Sequence, residues 1–551
     1  MVKEFPVVLP TFAALLASSA LISVFPTVVG SYINNFSADN VPSMFTGSCF
    51  VAGAALASFL KSTLAGFAGL RISRRLREDF FASLLKRDVG FFDKNSSGKL
   101  SSVLSTDAAV SAGIVDHLCQ TLRASISFVA GIYFSLNLAP VSLIVYTMLP
   151  IVASLLIIFP LSKCVQRHTA LRMRRLAALV SHTEERISHI KTVKAFNAEN
   201  FERGVFADKI RQLFTASFTA TVYNGSMNFV AVGAVGSLIL LMVNTSATLV
   251  LDGTMKIGDV TSLLMYSALV GGSLQSLTSS FAEIRKCLGA AGTLAAYIDS
   301  NDVVNMPKGP LASNAPRVEF NHITFAYPSR PDSTVLEDIS FVLPAGETLV
   351  VFGESGCGKS SIVQLLLGLY EPQSGFISVD GRHLADIDVK ELRSMSGWVE
   401  QQGALFNDTI RSNVVYGHNK AVDFEDVYKR SGLLDVVNSL PDGDETVVGQ
   451  LGKALSGGQR QRVSIARLFA RNPKLVLLDE VTAALDMDSE RQMGQTLAAF
   501  LRDKTAIVIT HRPNLLSLAD YVMSGKICQF GTKSQVMAAP CEQLSNILAT
   551  V

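Results

Sequence analysis

Five stretches in the first 290 residues hold no Asp, Glu, Lys or Arg: 5–38, 41–60, 124–162, 212–251 and 261–282. A helix needs about 20 predominantly apolar residues to cross a bilayer, so each stretch is long enough to span one. Stretch 124–162 has room for two helices, with Asn137-Leu138-Ala139-Pro140 as the hairpin tip. The expectation is a multi-pass α-helical membrane domain with six spans, near 6–30, 42–68, 118–138, 140–162, 219–247 and 260–283.

The basic residues sort the connections. Arg71, Arg74, Arg75, Arg77, Lys86 and Arg87 follow the second span, and Lys163, Arg167, Arg172, Arg174, Arg175, Arg186, Lys191 and Lys194 follow the fourth. Among the connections after spans one, three and five, only Lys256 is basic. The positive-inside rule therefore puts both long basic loops and both termini on one and the same side, the inner side of the membrane. The loops are helical in pattern, so spans two to five should run on beyond the membrane. Lys61, inside span two, either snorkels or lines a cavity. Span six carries Ser267, Ser273, Gln275, Ser276, Thr278, Ser279 and Ser280, a polar set that serves either helix packing or a substrate pathway.

Composition agrees with a membrane protein: 49% of the 551 residues are hydrophobic and 17% charged. A net charge of +2 leaves no nucleic-acid footprint. The seven cysteines are scattered and form no CxxC pair, which argues against a disulfide framework or zinc site.

From Arg317 the pattern changes to soluble α/β. Runs 349–352, 475–478 and 506–509 are short, unbroken and apolar, as in parallel strands covered on both faces. The domains read as 1–298 in the membrane, a Pro-containing linker at 299–316, and 317–551 as a nucleotide-binding domain. The first strand runs into Gly353-Glu354-Ser355-Gly356-Cys357-Gly358-Lys359-Ser360-Ser361, a phosphate-binding loop opening a helix. Backbone N–H groups at such a helix start wrap phosphates, Lys359 reaches the β- and γ-phosphates of ATP, and Ser360 binds Mg²⁺. Strand 475–478 delivers Asp479 to the Mg²⁺ side and Glu480 as the base that orients water. The competing reading, an ordinary acidic pair at a strand end, fits a wholly apolar strand beside a phosphate loop less well. His511, after strand 505–510, is placed to meet the γ-phosphate.

With these motifs in hand, the chain resembles the ABC transporter family, specifically a type-IV, multidrug-resistance-like exporter half, over nearly its whole length. Leu455-Ser456-Gly457-Gly458-Gln459 matches the signature motif. Gln401 resembles the Q-loop glutamine expected at Mg²⁺ and water. Tyr327 resembles the residue that stacks on adenine, Ala483-Ala484-Leu485-Asp486 the D-loop, and His511 the switch histidine. Phe91-Phe92-Asp93 with Gly98-Lys99-Leu100 resembles the first coupling segment. The stretch from Glu184 to Ile187, with Thr192 to Phe196, resembles the run into the second. Segments flanking span six look most like the mitochondrial half-transporters of the subfamily. Two departures stand out: Ala483 replaces the usual Ser, and Gln450-Leu451 replaces an acidic–basic pair.

The resemblance implies that the phosphate loop of one chain meets Ser456, Gly457, Gly458 and Gln459 of another. Two half-transporter chains, expected to be identical, then pair with C2 symmetry in the lipid membrane and sandwich ATP and Mg²⁺ between them. The implied activity is ATP-driven export of a substrate the sequence does not name; an ATP-gated channel is the alternative, set against intact Glu480, His511 and signature. The resemblance points to the mitochondrial inner membrane, whereas the first residues lack a transit-peptide pattern, which keeps the plasma or another membrane open. Cys357, inside the phosphate loop, is placed where alkylation should block ATP.

Overall fold

The computed structural model describes residues 5–35, 45–298, 315–353, 356–418, 421–483, 486–524 and 529–540. Most of the expected linker, together with Glu354, Ser355, Ala484 and Leu485, falls outside them. The chain forms two compact units: one of 1–84 and 101–300, the other of 85–100 and 301–551.

Among the described residues the first unit is built from helices. Its long elements are α1 (Phe5–Asn34) and α2 (Phe45–Leu84). After α3 (Val89–Lys94) and α4 (Ser97–Ser102), which begin outside this unit, come a π-turn over Val103–Asp107 and α5 (Ala108–Ala112). They lead into α6 (Ile114–Leu138) and α7 (Val141–Ser188). The short α8 (Ile190–Ala195) precedes α9 (Glu199–Leu251) and α10 (Ile257–Ile298). At 1.5 Å per residue, α7 and α9, with 48 and 53 residues, outrun a bilayer of about 30 Å by a wide margin. The hairpin falls where the sequence puts it, with Ala139 as the C-cap of α6 and Pro140 as the N-cap of α7. Proline suits a helix start because its missing N–H has no intrahelical partner there.

Five of these helices, α1, α2, α7, α9 and α10, are long and apolar enough to cross a membrane. The expected third span corresponds to α6, which is not among the five. Asp116 and Arg123, with interspersed Ser and Gln, dilute its apolar character. Its small positions instead bury against α10, where a β-carbon on Gly131 would lie 2.6 Å from Val270 Cγ2. Lys61 in α2 is buried and pairs with Asp116 of α6 at 3.6 Å, so the charge inside this segment is partnered rather than snorkelling. The serines of α10 divide by helical face. Ser267, Ser273 and Ser280 are buried, and Gln275, Ser276, Thr278 and Ser279 are exposed. Ser267 and Ser273 bond the carbonyls of Leu263 and Leu269 at 2.8 and 2.6 Å, satisfying their hydroxyls within the helix.

The second unit is built on two sheets. A four-stranded antiparallel sheet has the order β2-β1-β4-β5, comprising β1 (Val318–Ala326), β2 (Thr334–Leu343), β4 (Ser374–Val379) and β5 (Arg382–His383). The six-stranded sheet runs β10-β9-β3-β8-β7-β6, from β3 (Thr348–Phe352), β6 (Ser396–Val399), β7 (Leu475–Asp479), β8 (Thr505–Ile509), β9 (Tyr521–Ser524) and β10 (Gln529–Thr532). Only β10 is antiparallel there. The unbroken apolar runs now have a reason. Successive side chains point to opposite faces, and each face has its own core. Leu349, Val351, Leu475, Leu477, Ile507 and Ile509 enter one core, while Val350, Phe352, Val476, Leu478, Ala506 and Val508 enter the other.

Segment 85–100 belongs with this unit. Asp88 caps α3, accepting from Phe91 N at 3.1 Å. Asp93 Oδ2 accepts from Tyr370 Oη at 2.8 Å, and a β-carbon on Gly90 would lie 3.2 Å from Pro328 Cγ. Burial and the Asp93 carboxylate both push the Tyr370 phenol above its usual range, holding it as a donor.

Candidate functional site

In a parallel sheet, residues just past the carboxyl ends of neighbouring strands meet at one edge, where open α/β sheets bind ligands. Strands β6, β7 and β8 are neighbours in register, with Val399 opposite Leu478 and Asp479 opposite Ile509. The residues that follow them are therefore brought together: Gln401, Glu480 and His511. Gln401 Nε2 donates to Glu480 Oε2 at 2.5 Å, and His511 Nδ1 lies 3.4 Å from Glu480 Oε1. His511 is half-exposed and Glu480 mostly enclosed, so the carboxylate is held between an amide and an imidazole at an open mouth.

Next to them, β3 ends in the glycine loop. Gly356 and Gly358 have φ of +87° and +93°, which L side chains rarely adopt. A β-carbon on Gly358 would also come within 2.6 Å of Leu336 Cδ2, so space and backbone both demand glycine. Helix Lys359–Leu366 starts at this glycine. Lys359 is buried, and its Nζ donates to Gly353 O at 2.7 Å, folding the ammonium back into the loop. Cys357 Sγ is 3.8 Å from the same Nζ and is a free thiol.

Asp479, the last residue of β7, is buried. Burial pushes its carboxyl upward and a hydrogen bond from Ser360 pulls it back. A desolvated carboxylate bonded to a hydroxyl is a donor set that suits a hard divalent cation such as Mg²⁺.

Tyr327 follows β1 beside the loop helix. Its hydroxyl lies 2.8 Å from Ser361 Oγ and donates to Gln364 Oε1 at 2.9 Å. Its ring stands edge-on to Phe325 and Tyr370, at centroid distances of 4.9 and 5.2 Å. The buried Ser361 hydroxyl is thus engaged with Tyr327.

Helix Gly457–Arg471 begins within the signature segment, so Gly457, Gly458 and Gln459 form its first turn. Ser456 caps it: Ser456 Oγ accepts from Gln459 N at 3.3 Å, and Gln459 Oε1 accepts from Ser456 N at 2.8 Å. Leu451, in the segment that departs from the resemblance, is exposed with φ +54°.

Sequence reasoning missed Arg512 and Glu490. The Arg512 guanidinium pairs with buried Glu490 and donates to Ala483 O at 3.0 Å, tying the D-loop to the segment carrying His511. An arginine directly after the switch histidine was the only available signal.

Comparison with known proteins agrees with this geometry. Residues 7–274 match the model of the ABC transporter transmembrane region, and residues 336–483 match that of the ABC transporter. The chain is 32% identical over 505 residues to ATP-binding cassette sub-family B member 10, mitochondrial, of Mus musculus, covering 89% of this chain and 70% of the relative. It is 30% identical over 546 residues to an ATP-dependent lipid A-core flippase of Methylococcus capsulatus, covering 96% and 89%.

The chain belongs to the ABC transporter family.

Residues 336–483 lie in an ATP-binding domain, and the ATPase activity of this transporter is coupled to export across the membrane in which its transmembrane region, matched over 7–274, is integral. In fold, the transporter is similar to a bacterial Atm1-family ABC exporter solved with ATP bound, with a TM-score of 0.85 at 24% identity over 99% of both chains.

Proposed function

We propose that the transporter is one half of an exporter, completed by a second copy, in which ATP closes the nucleotide domains and hydrolysis releases them. The observation that carries this reading is the convergence of Gln401 and His511 on Glu480. In it, Glu480 orients the attacking water, His511 meets the γ-phosphate, and Gln401 senses both. The loop from Gly353 to Ser361 holds the phosphates, with Lys359 as its counter-charge, and Tyr327 stacks on adenine. Ser360, Asp479 and Gln401 hold Mg²⁺. Ser456, Gly457, Gly458 and Gln459 of one copy close the site of the other, where the first turn of a helix presents its positive end to a phosphate.

The membrane domain takes residues 1–298, the linker 299–316, and the nucleotide domain 317–551. With α6 as the third span, the membrane domain has six spans and the pair twelve. The proposed membrane is the mitochondrial inner membrane; the relative from Mus musculus, named as mitochondrial, supports the organelle.

The test is ATP-dependent uptake of a mixed metabolite, lipid and peptide extract into proteoliposomes, with accumulated species identified by mass spectrometry. Accumulation with the native protein and none with Glu480→Gln is the expected result. ATP turnover without accumulation of any species would overturn export in favour of gating.

Chemistry at the phosphate loop gives a second check. Stoichiometric alkylation of Cys357 is expected to abolish nucleotide binding in a fluorescent-ATP titration, and Cys357→Ala should be immune. Unchanged binding by the fully modified protein would remove the loop from the site.

A further inference from the structure

Glu480 does not continue the strand that delivers it. Its φ is +48°, a left-handed conformation that nothing about glutamate favours, so the surroundings must impose it. Three hydrogen bonds do. Glu480 N donates to Ile509 O at 2.9 Å, and Glu480 O accepts from Ala483 N at 3.0 Å and from Gln461 Nε2 at 2.9 Å.

The first two bonds are backbone pairs that many residues would permit. The third is a side chain reaching in from helix Gly457–Arg471. Gln461 is 3% exposed, and leaving that amide without its acceptor would strand a buried donor. It follows Gly457 by four residues, which puts it on the same face of the helix as the first signature glycine. The far end of the turn is anchored as well, since Arg512 holds Ala483 O at 3.0 Å.

We infer that Gln461 is a positioning residue for Glu480. It locks the left-handed peptide that aims the carboxylate between Gln401 and His511, and it ties that peptide to the signature helix of the same chain. The inference rests on the proposed roles of Glu480 and of the signature. Given those roles, a shift of the helix that reads one nucleotide is passed through the Gln461–Glu480 hydrogen bond to the base that acts on the other. Two hydrolysis sites are thereby connected within each chain.

The experiment uses full-length protein in lipid nanodiscs. Gln461→Met keeps the volume and removes the donor. Its kcat for ATP hydrolysis is expected to fall about tenfold to a hundredfold, the scale of a small misplacement of a reacting group, with KM for ATP little changed. Gln461→Glu supplies a rescue. Ionised, its carboxylate faces a carbonyl and repels it; protonated, it donates the missing hydrogen bond. Burial raises the pKa of such a carboxyl, so kcat relative to wild type at the same pH should climb as pH falls from about 8 to about 6.

A wild-type kcat in Gln461→Met overturns the inference. So does a Gln461→Glu ratio that stays flat with pH, which would mark Gln461 as core filling alone. Glu480→Gln is run in parallel. If it still turns over ATP, the base assignment fails whatever Gln461 does. If it is dead while Gln461→Met runs at full rate, only the positioning role fails.

Discussion

Glu480→Gln is expected to lower ATP turnover by about 10²- to 10⁴-fold, the range for loss of a positioned general base, while ATP still binds. Gln has the shape of Glu and keeps an oxygen for the Gln401 amide, which donates at 2.5 Å in the native chain. It loses the charge that draws a proton from water. Because the substitution leaves the loop from Gly353 to Ser361, proposed to hold the phosphates, unchanged, the variant should accumulate as an ATP-bound pair that does not reopen. Steady-state phosphate release, paired with retention of labelled ATP after rapid desalting, checks both halves. Turnover within tenfold of wild type would show that water is activated elsewhere and that the cluster of Gln401, Glu480 and His511 serves only to bind.

The second large effect is expected in the membrane domain. Gly258→Val should destabilise the packing of α1 on α10 by about 2–4 kcal/mol, combining overpacking with loss of a helix cap. Asn34, the last residue of α1, caps α10: its Oδ1 accepts from Gly258 N at 2.8 Å, and its Nδ2 donates to Asp259 Oδ1 at 2.9 Å. A β-carbon on Gly258 would overlap Gly30 O and lie 2.5 Å from Asn34 Oδ1. One turn further along, Ser262 Oγ donates to Pro26 O at 2.8 Å; one turn beyond that, Tyr266 Oη donates to Ser23 O at 3.1 Å. Small residues on facing turns let the two backbones approach, and this is how helices associate where lipid supplies no hydrophobic drive. Thermal unfolding in detergent should show the loss. Gly272→Ala, on the same helix with nothing within 4 Å of its β-carbon, should melt as wild type does. Equal melting of both variants would mean that α1 and α10 do not meet closely.

Much of the candidate site was legible because its parts are local. The phosphate loop needs glycines at fixed spacing and a lysine at a helix start, and those residues are contiguous. Glu480 and His511 could be placed because each follows a short apolar strand. Their partnership was less legible, since Gln401 and Glu480 are 79 residues apart and only strand order makes them neighbours. Gln461 and Arg512 looked like ordinary polar residues on or beside regular elements. Nothing near Gln461 in the chain indicates that it bonds Glu480 O, and only the place of Arg512 directly after His511 hints that it bonds Ala483 O.

By itself the sequence determined the division into an apolar helical part and an α/β part, the hairpin between α6 and α7, and a glycine-rich loop that opens a helix after an apolar strand. Each is set by composition or periodicity over a window of adjacent residues, where side-chain direction and backbone propensity act locally. Only the tertiary structure decided which serines of α10 are buried, that Lys61 faces Asp116, that segment 85–100 joins the second unit, and which groups hold Glu480 in its left-handed turn. These depend on register and packing between elements far apart in the chain, where the partner of a polar group is fixed by the approach of whole helices and strands.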